Sequence, residues 1–214
     1  MFYDYVIVTE GDSDRAFYQE INIRLLKYGN RGIPNCLFLN AHNKQAEKLI
    51  IKPLRKLGIP IIGIIDVDIL KEGGKVWTSY LDSIFIPELE HEGLANTRLK
   101  LNNKFKGLEK EGKDMKKDGG INLLSNEDKE AAESLFSKLS EYGIFTVPYG
   151  ELESWLKELG VSKPKNKWII EIFEKMGEDP ENENYIKPKN DDVWLFMDKI
   201  REWFLNSDRK GMPE

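Results

Sequence analysis

The sequence predicts an α/β fold in which a parallel sheet is covered by helices on both faces. Short β-branched runs alternate with helical stripes through the first 68 residues, the βαβαβ order that a parallel sheet requires. Strand character returns at Ile144–Val147 after a long polar stretch. Acidic residues follow three of the four strands, and in an open parallel sheet those C-terminal strand ends share the edge where ligands bind.

Tyr5–Thr9 (YVIVT) is short and β-branched, as a buried strand should be. Gly11-Asp12-Ser13 supplies a turn and two possible N-caps. Phe17, Ile21 and Leu25 then recur at helical spacing. Cys36–Leu39 (CLFL) is a second strand, and Ala46, Leu49, Ile50, Leu54 and Leu57 form a second helical stripe. Pro53 should kink or split that helix, because proline lacks the N–H its turn needs. Ile61–Ile65 (IIGII) is the third strand, ending at Asp66-Val67-Asp68. Residues 71–142 are polar and lysine-rich, with Glu130–Leu139 the clearest helix. They are expected to form a helical insertion between the third and fourth strands. Two further helices, about 167–176 and 191–205, fall in a C-terminal helical extension over 157–214. The expected organisation is one domain, 1–214, carrying the insertion and the extension.

Composition removes several classes of function. No apolar run approaches membrane-spanning length, and the N-terminus lacks the basic and apolar regions of a signal peptide. A cytoplasmic protein is the expectation. A single cysteine, Cys36, precludes an intramolecular disulfide or a cysteine-rich zinc site. His42 and His91 are too few for imidazole-centred metal chemistry, so any metal must be held by oxygen. Net charge is −5, which excludes a wholly basic nucleic-acid coat but not a local basic face.

Six carboxylates have reason to meet. Glu10 closes the first strand, Asp66 and Asp68 the third, and Glu151 and Glu153 follow the fourth. Residues two apart in extended chain point the same way, so Asp66 and Asp68 can project together. Asp14 can return to the same edge across the Gly11 turn. Such a cluster repels itself unless cations sit within it, and Mg²⁺ or Mn²⁺ are the natural occupants. Without metal, neutralising Asp66 should then leave the protein as stable as before, or more so. Taken singly, acids at these places also serve as caps for the helices that follow.

The pattern of hydrophobic strand, Glu10-Gly11-x-Ser13-Asp14, a βα segment, then hydrophobic strand and Asp66-x-Asp68 resembles a TOPRIM domain. This catalytic domain is shared by topoisomerases, bacterial primases and several nucleases. The resemblance is nearest to the OLD group (overcoming lysogenization defect), through Asn40-Ala41-His42-Asn43-Lys44, Leu57-Gly58-Ile59-Pro60 and Gly150-Glu151-Leu152-Glu153. It implies a TOPRIM-like Rossmannoid sheet and a metal-dependent endonuclease that cuts DNA with two metals. It also assigns roles. Asp66 and Asp68 are metal ligands, and Glu10 is a ligand or the general acid/base. Asp14 and Glu153 are second-metal ligands, with Glu151 as rival to Glu153. Lys210 matches the lysine near the end of the OLD domain and would neutralise charge growing on the phosphate. OLD proteins carry an ATPase domain ahead of this one. The chain begins at the first TOPRIM strand and has no phosphate-binding Gly-x-x-x-x-Gly-Lys-Ser/Thr loop. A catalytic fragment, or a free-standing relative whose ATPase is another chain, is therefore expected.

Between Arg98 and Lys117 eight basic residues face three acidic ones. Such a run is ordinarily solvated surface. Beside a phosphate-cutting edge, however, Lys104, Lys106, Lys113 and Lys116 would guide DNA. Lys163, Lys165 and Lys167 form a second basic cluster beside Trp168. Trp155, Trp168, Trp194 and Trp203 lie at helical positions beside aliphatics and read as core rather than base-stacking platforms. Two other classes compete with the nuclease. One is a non-catalytic TOPRIM-like module that docks on or regulates an ATPase. The other is a receiver-like domain phosphorylated on Asp66, for which the placing of Glu10 and Asp14 is awkward.

Overall fold

The computed structural model describes residues 3–42, 44–161 and 165–213. Among them are four strands: β1 (Tyr5–Thr9), β2 (Cys36–Asn40), β3 (Ile61–Asp66) and β4 (Ile144–Val147). They form one parallel sheet in the order β2-β1-β3-β4. The chain leaves β1 for β2 on one side and returns for β3 on the other, so the order reverses between β1 and β3. Open sheets of this kind bind ligands outside the strand ends at that reversal.

Seven helices flank the sheet among the described residues: α1 (Asp12–Lys27), α2 (Lys44–Lys56), α3 (Gly74–Ser83), α4 (Glu88–Lys110), α5 (Asn126–Glu141), α6 (Lys165–Met176) and α7 (Asp192–Leu205). The period-2 alternation of β1 and β3 sorts their side chains between two cores. Val6, Val8, Ile61 and Ile65 face a core built with α2 to α5. Ile7, Ile62 and Ile64 face the other, built with α1, α6 and α7. Each large apolar side chain so buried contributes roughly 1.5–3 kcal/mol. The insertion after β3 therefore completes one covering layer, through residues such as Trp77, Leu101, Phe105 and Leu135, each at most 2% exposed. The four tryptophans assigned to the core are buried.

Helix α2 departs from expectation twice. It runs unbroken through Pro53. Proline leaves the carbonyl four residues back without its donor, and here that residue is Leu49, 72% exposed, where water can take over. The apolar stripe is also only partly turned inward: Ala46, Ile50 and Leu54 pack against the core. Leu49 and Leu57 point outward, at 72% and 75% exposure, while Glu47, Ile51 and Arg55 share the inward line at 0%. Arg55 lies among carbonyls: it donates to those of Ile61, Ile84 and Gly211 at 2.8–3.3 Å. The Gly211 bond ties the C-terminal tail to the core.

Candidate metal centre

Hydrophobic burial fixes β1 and β3 side by side, and their ends carry the acids with them. Thr9 is in register with Ile64, so Glu10 emerges beside the last turn of β3. Its Oε1 accepts the Asp66 backbone N–H at 3.3 Å. After Asp66 the chain turns into a short 3-10 helix, Val67–Lys71, whose first turn presents Asp68. Glu10, Asp66 and Asp68 each place a carboxylate oxygen within 4.8 Å of the others. Among the described residues they are the one such grouping of acid, histidine or cysteine ligands. Asp66 is 4% exposed, and the other two are half-buried.

This donor set fits a hard divalent cation. All three ligands are carboxylates, and Mg²⁺ and Mn²⁺ prefer oxygen. Among the described residues no softer donor belongs to the grouping: burial pushes the Cys36 thiol up to about 12, His42 Nδ1 lies 3.3 Å from Asn40 Nδ2, and His91 Nε2 lies 2.9 Å from the Ile86 carbonyl.

The structure adds a cation of its own. The Lys116 ammonium lies 2.6 Å from Asp66 Oδ2, 3.6 Å from Asp68 Oδ2 and 3.5 Å from Glu151 Oε2. Burial works against its charge, but these three carboxylates outweigh that penalty and hold its pKa above the usual lysine value. The expectation of an uncompensated acid cluster is thus corrected, because one positive charge already sits inside it.

The other expected site residues divide. Asp14 is buried in the first turn of α1 and folds back over Gly11, where an added β-carbon would meet its Oδ2 at 2.9 Å. Glu151 joins the site through Lys116, whereas Glu153 lies half-buried on the following 3-10 turn, Leu152–Ser154. Neither Asp14 nor either glutamate belongs to the close triad. Lys210 is not brought there. It pairs at 2.7 Å with Glu141, at the end of α5 just ahead of β4, hence on the opposite edge of the sheet.

The basic run has several fates. Arg98 is buried and donates to the Leu70 carbonyl at 3.0 Å. Lys104 pairs with Asp128 at 3.2 Å, while Lys106 and Lys113 are exposed. Asn43 and Lys163 lie outside the described residues.

Sequence reasoning missed Glu47. This carboxyl is wholly buried on α2; its Oε2 accepts the Tyr80 hydroxyl at 3.0 Å, and its Oε1 has no hydrogen-bond partner among the described residues. Burial, followed by the charge of Glu10, holds it well above the usual carboxylate range, and Asp66 and Asp14 push the same way. The signal was present, since Glu47 lies four residues before Ile51 and eight before Arg55, one helix line.

Residues 1–68 match the family model for the TOPRIM domain of overcoming lysogenization defect-like proteins. The matched span runs through β1, α1, β2, α2 and β3 and ends on Asp68, so it contains the whole acidic triad. The four-stranded parallel sheet is consistent with the TOPRIM fold to which these first 68 residues are similar. No curated protein and no solved structure matches the chain. No helix among the described residues is long and apolar enough to cross a membrane.

Proposed function

We propose that the protein is a metal-dependent nuclease that hydrolyses phosphodiester bonds in DNA. The observation that carries this reading is the triad of Glu10, Asp66 and Asp68 at the reversal between β1 and β3, inside the segment that matches the OLD-like TOPRIM domain. These three side chains would hold Mg²⁺ or Mn²⁺. A divalent cation bound there supplies Lewis acidity and lowers the pKa of water enough to make a nucleophile near neutral pH.

The residues of the chain have distinct tasks in this reading. Asp66 and Asp68 fix the cation against the strand end. Glu10, adjoining both, is placed to ligate or to shuttle a proton. Lys116 brings a positive charge to the edge where charge would grow on the phosphate, the task expected of Lys210. The exposed Lys106 and Lys113 lie on α4 and on the loop leading to Lys116, and would attract the DNA backbone toward the acids. An ATPase partner, in the manner of OLD proteins, would deliver substrate.

Supercoiled plasmid incubated with Mn²⁺, Mg²⁺ or chelator tests the proposal. The intact chain should nick or degrade it with metal only, and the Asp66→Ala, Asp68→Ala double variant should not. Cleavage that persists in chelator or in the double variant overturns the reading. One observation favours a non-catalytic module instead: Lys116 already gives the acids a cation. That alternative is the outcome if a folded chain cuts nothing with either metal.

A further inference from the structure

We propose that this centre takes a single divalent cation, because the ammonium of Lys116 permanently fills the place a second cation would occupy. The inference rests on the metal-dependent reading above and concerns how the site is built.

The acids form two overlapping groups. Glu10, Asp66 and Asp68 converge within 4.8 Å. Asp66, Asp68 and Glu151 surround the Lys116 Nζ at 2.6–3.6 Å. Asp66 and Asp68 belong to both groups. A carboxylate has two oxygens, so an acid that holds an ammonium through one can ligate a cation through the other. Three carboxylates around one point make a cation site, and in this protein a side chain of the chain itself is the cation.

A surface lysine could simply swing aside when metal arrives. The backbone around Lys116 argues otherwise. Asp114 Oδ1 accepts the N–H groups of Lys116 and Lys117 at 2.8 and 3.2 Å. The Asp114 N–H donates to Asp118 Oδ2 at 2.7 Å, and the Asp118 N–H to the Asp114 carbonyl at 2.9 Å. Met115, the preceding residue, is buried at 1% exposure. This closed loop is docked on the turn after β4. Ile121 N–H donates to the Pro148 carbonyl at 3.0 Å, and a β-carbon on Gly150 would overlap the Lys116 carbonyl. Gly150 in turn accepts the N–H of Val67, the residue between the two aspartates, at 3.2 Å. Lys116 is therefore anchored to the segment that carries Asp66 and Asp68. From that anchored backbone its ammonium is held by the three carboxylates, only 26% of the side chain being exposed. A second divalent ion would have to displace it against three carboxylates.

The test is the number of Mn²⁺ ions bound per chain, read from the loss of the free-ion paramagnetic resonance signal and from calorimetric titration. Wild type should bind one. Lys116→Gln, which removes the charge, should bind two, and Lys116→Arg, which keeps it, should bind one. Two ions on the wild type, or one on a folded Lys116→Gln, overturns the inference and leaves the hydrolase reading standing. Mn²⁺ bound by none of the three removes the metal centre and the function built on it. The wild-type count decides even if a variant fails to fold.

Discussion

Glu47 and Tyr80 meet in a hydrogen bond of 3.0 Å between side chains that are 0% and 2% exposed. Burial and the nearby Glu10 charge disfavour the ionised form of this carboxyl and raise its pKa, and this has a consequence for stability.

Burial raises the folded-state pKa of Glu47 above its ordinary value of 4.5. Its contribution to stability is therefore complete below that pH and falls as pH rises toward the folded value. The loss is about 1.4 kcal/mol for each pH unit between the two values. Glu47→Gln removes the titration. Urea unfolding at pH 5, 6.5 and 8 should show the variant gaining on wild type as pH rises. A constant difference across the series would mean that Glu47 is ionised in the fold.

Asp66→Asn in the metal-free protein should lower stability by about 2 kcal/mol, the scale of a hydrogen bond to a charged group. That corresponds to roughly 4–8 °C in a chain of this size. This reverses the expectation from the acids alone, because Asp66 holds the Lys116 ammonium at 2.6 Å. The rise in melting temperature on adding Mn²⁺ should also vanish. A variant that melts no lower than wild type without metal would show the pair to be energetically empty.

Arg55→Lys should loosen the C-terminal tail. The planar guanidinium reaches the carbonyls of Ile61, Ile84 and Gly211 together, and an ammonium on a flexible stem does not reproduce that fork. The cost is about 3 kcal/mol, as for a buried charge left with poor partners. Limited proteolysis should cut within 206–213 in the variant well before wild type. Equal cutting rates would place the anchor of the tail elsewhere.

Reversal of Lys106 and Lys113 to Glu should weaken DNA binding and reduce its logarithmic salt slope by about 1–2. The Mn²⁺ count should stay unchanged, since neither residue belongs to the acid site. Filter binding between 50 and 200 mM salt measures this. An unaltered slope assigns both lysines to ordinary surface.

Much of the sheet and the triad was legible in the sequence. The β-branched runs at 5–9 and 61–66 carry their own periodicity, and acids just past parallel strands share an edge whatever else surrounds them. Helix α2 was legible in part: Ala46, Ile50 and Leu54 of its apolar stripe pack against the core. The most buried line also includes Glu47 and Arg55, whose hydrogen-bond partners are remote in sequence.

The sequence by itself determined the α/β class, the parallel strands and the meeting of Glu10, Asp66 and Asp68, because each follows from local periodicity and strand direction. Only the tertiary structure decided which lysine joins them. Lys210 matched by its place near the chain end, yet its neighbour is Glu141. Lys116 looked like one of eight basic residues in a solvated run, yet the loop that carries it docks on Gly150 and sets it between Asp66 and Glu151. An ammonium takes its role from the carboxylates within a few ångströms of it, and those distances come from how remote segments pack.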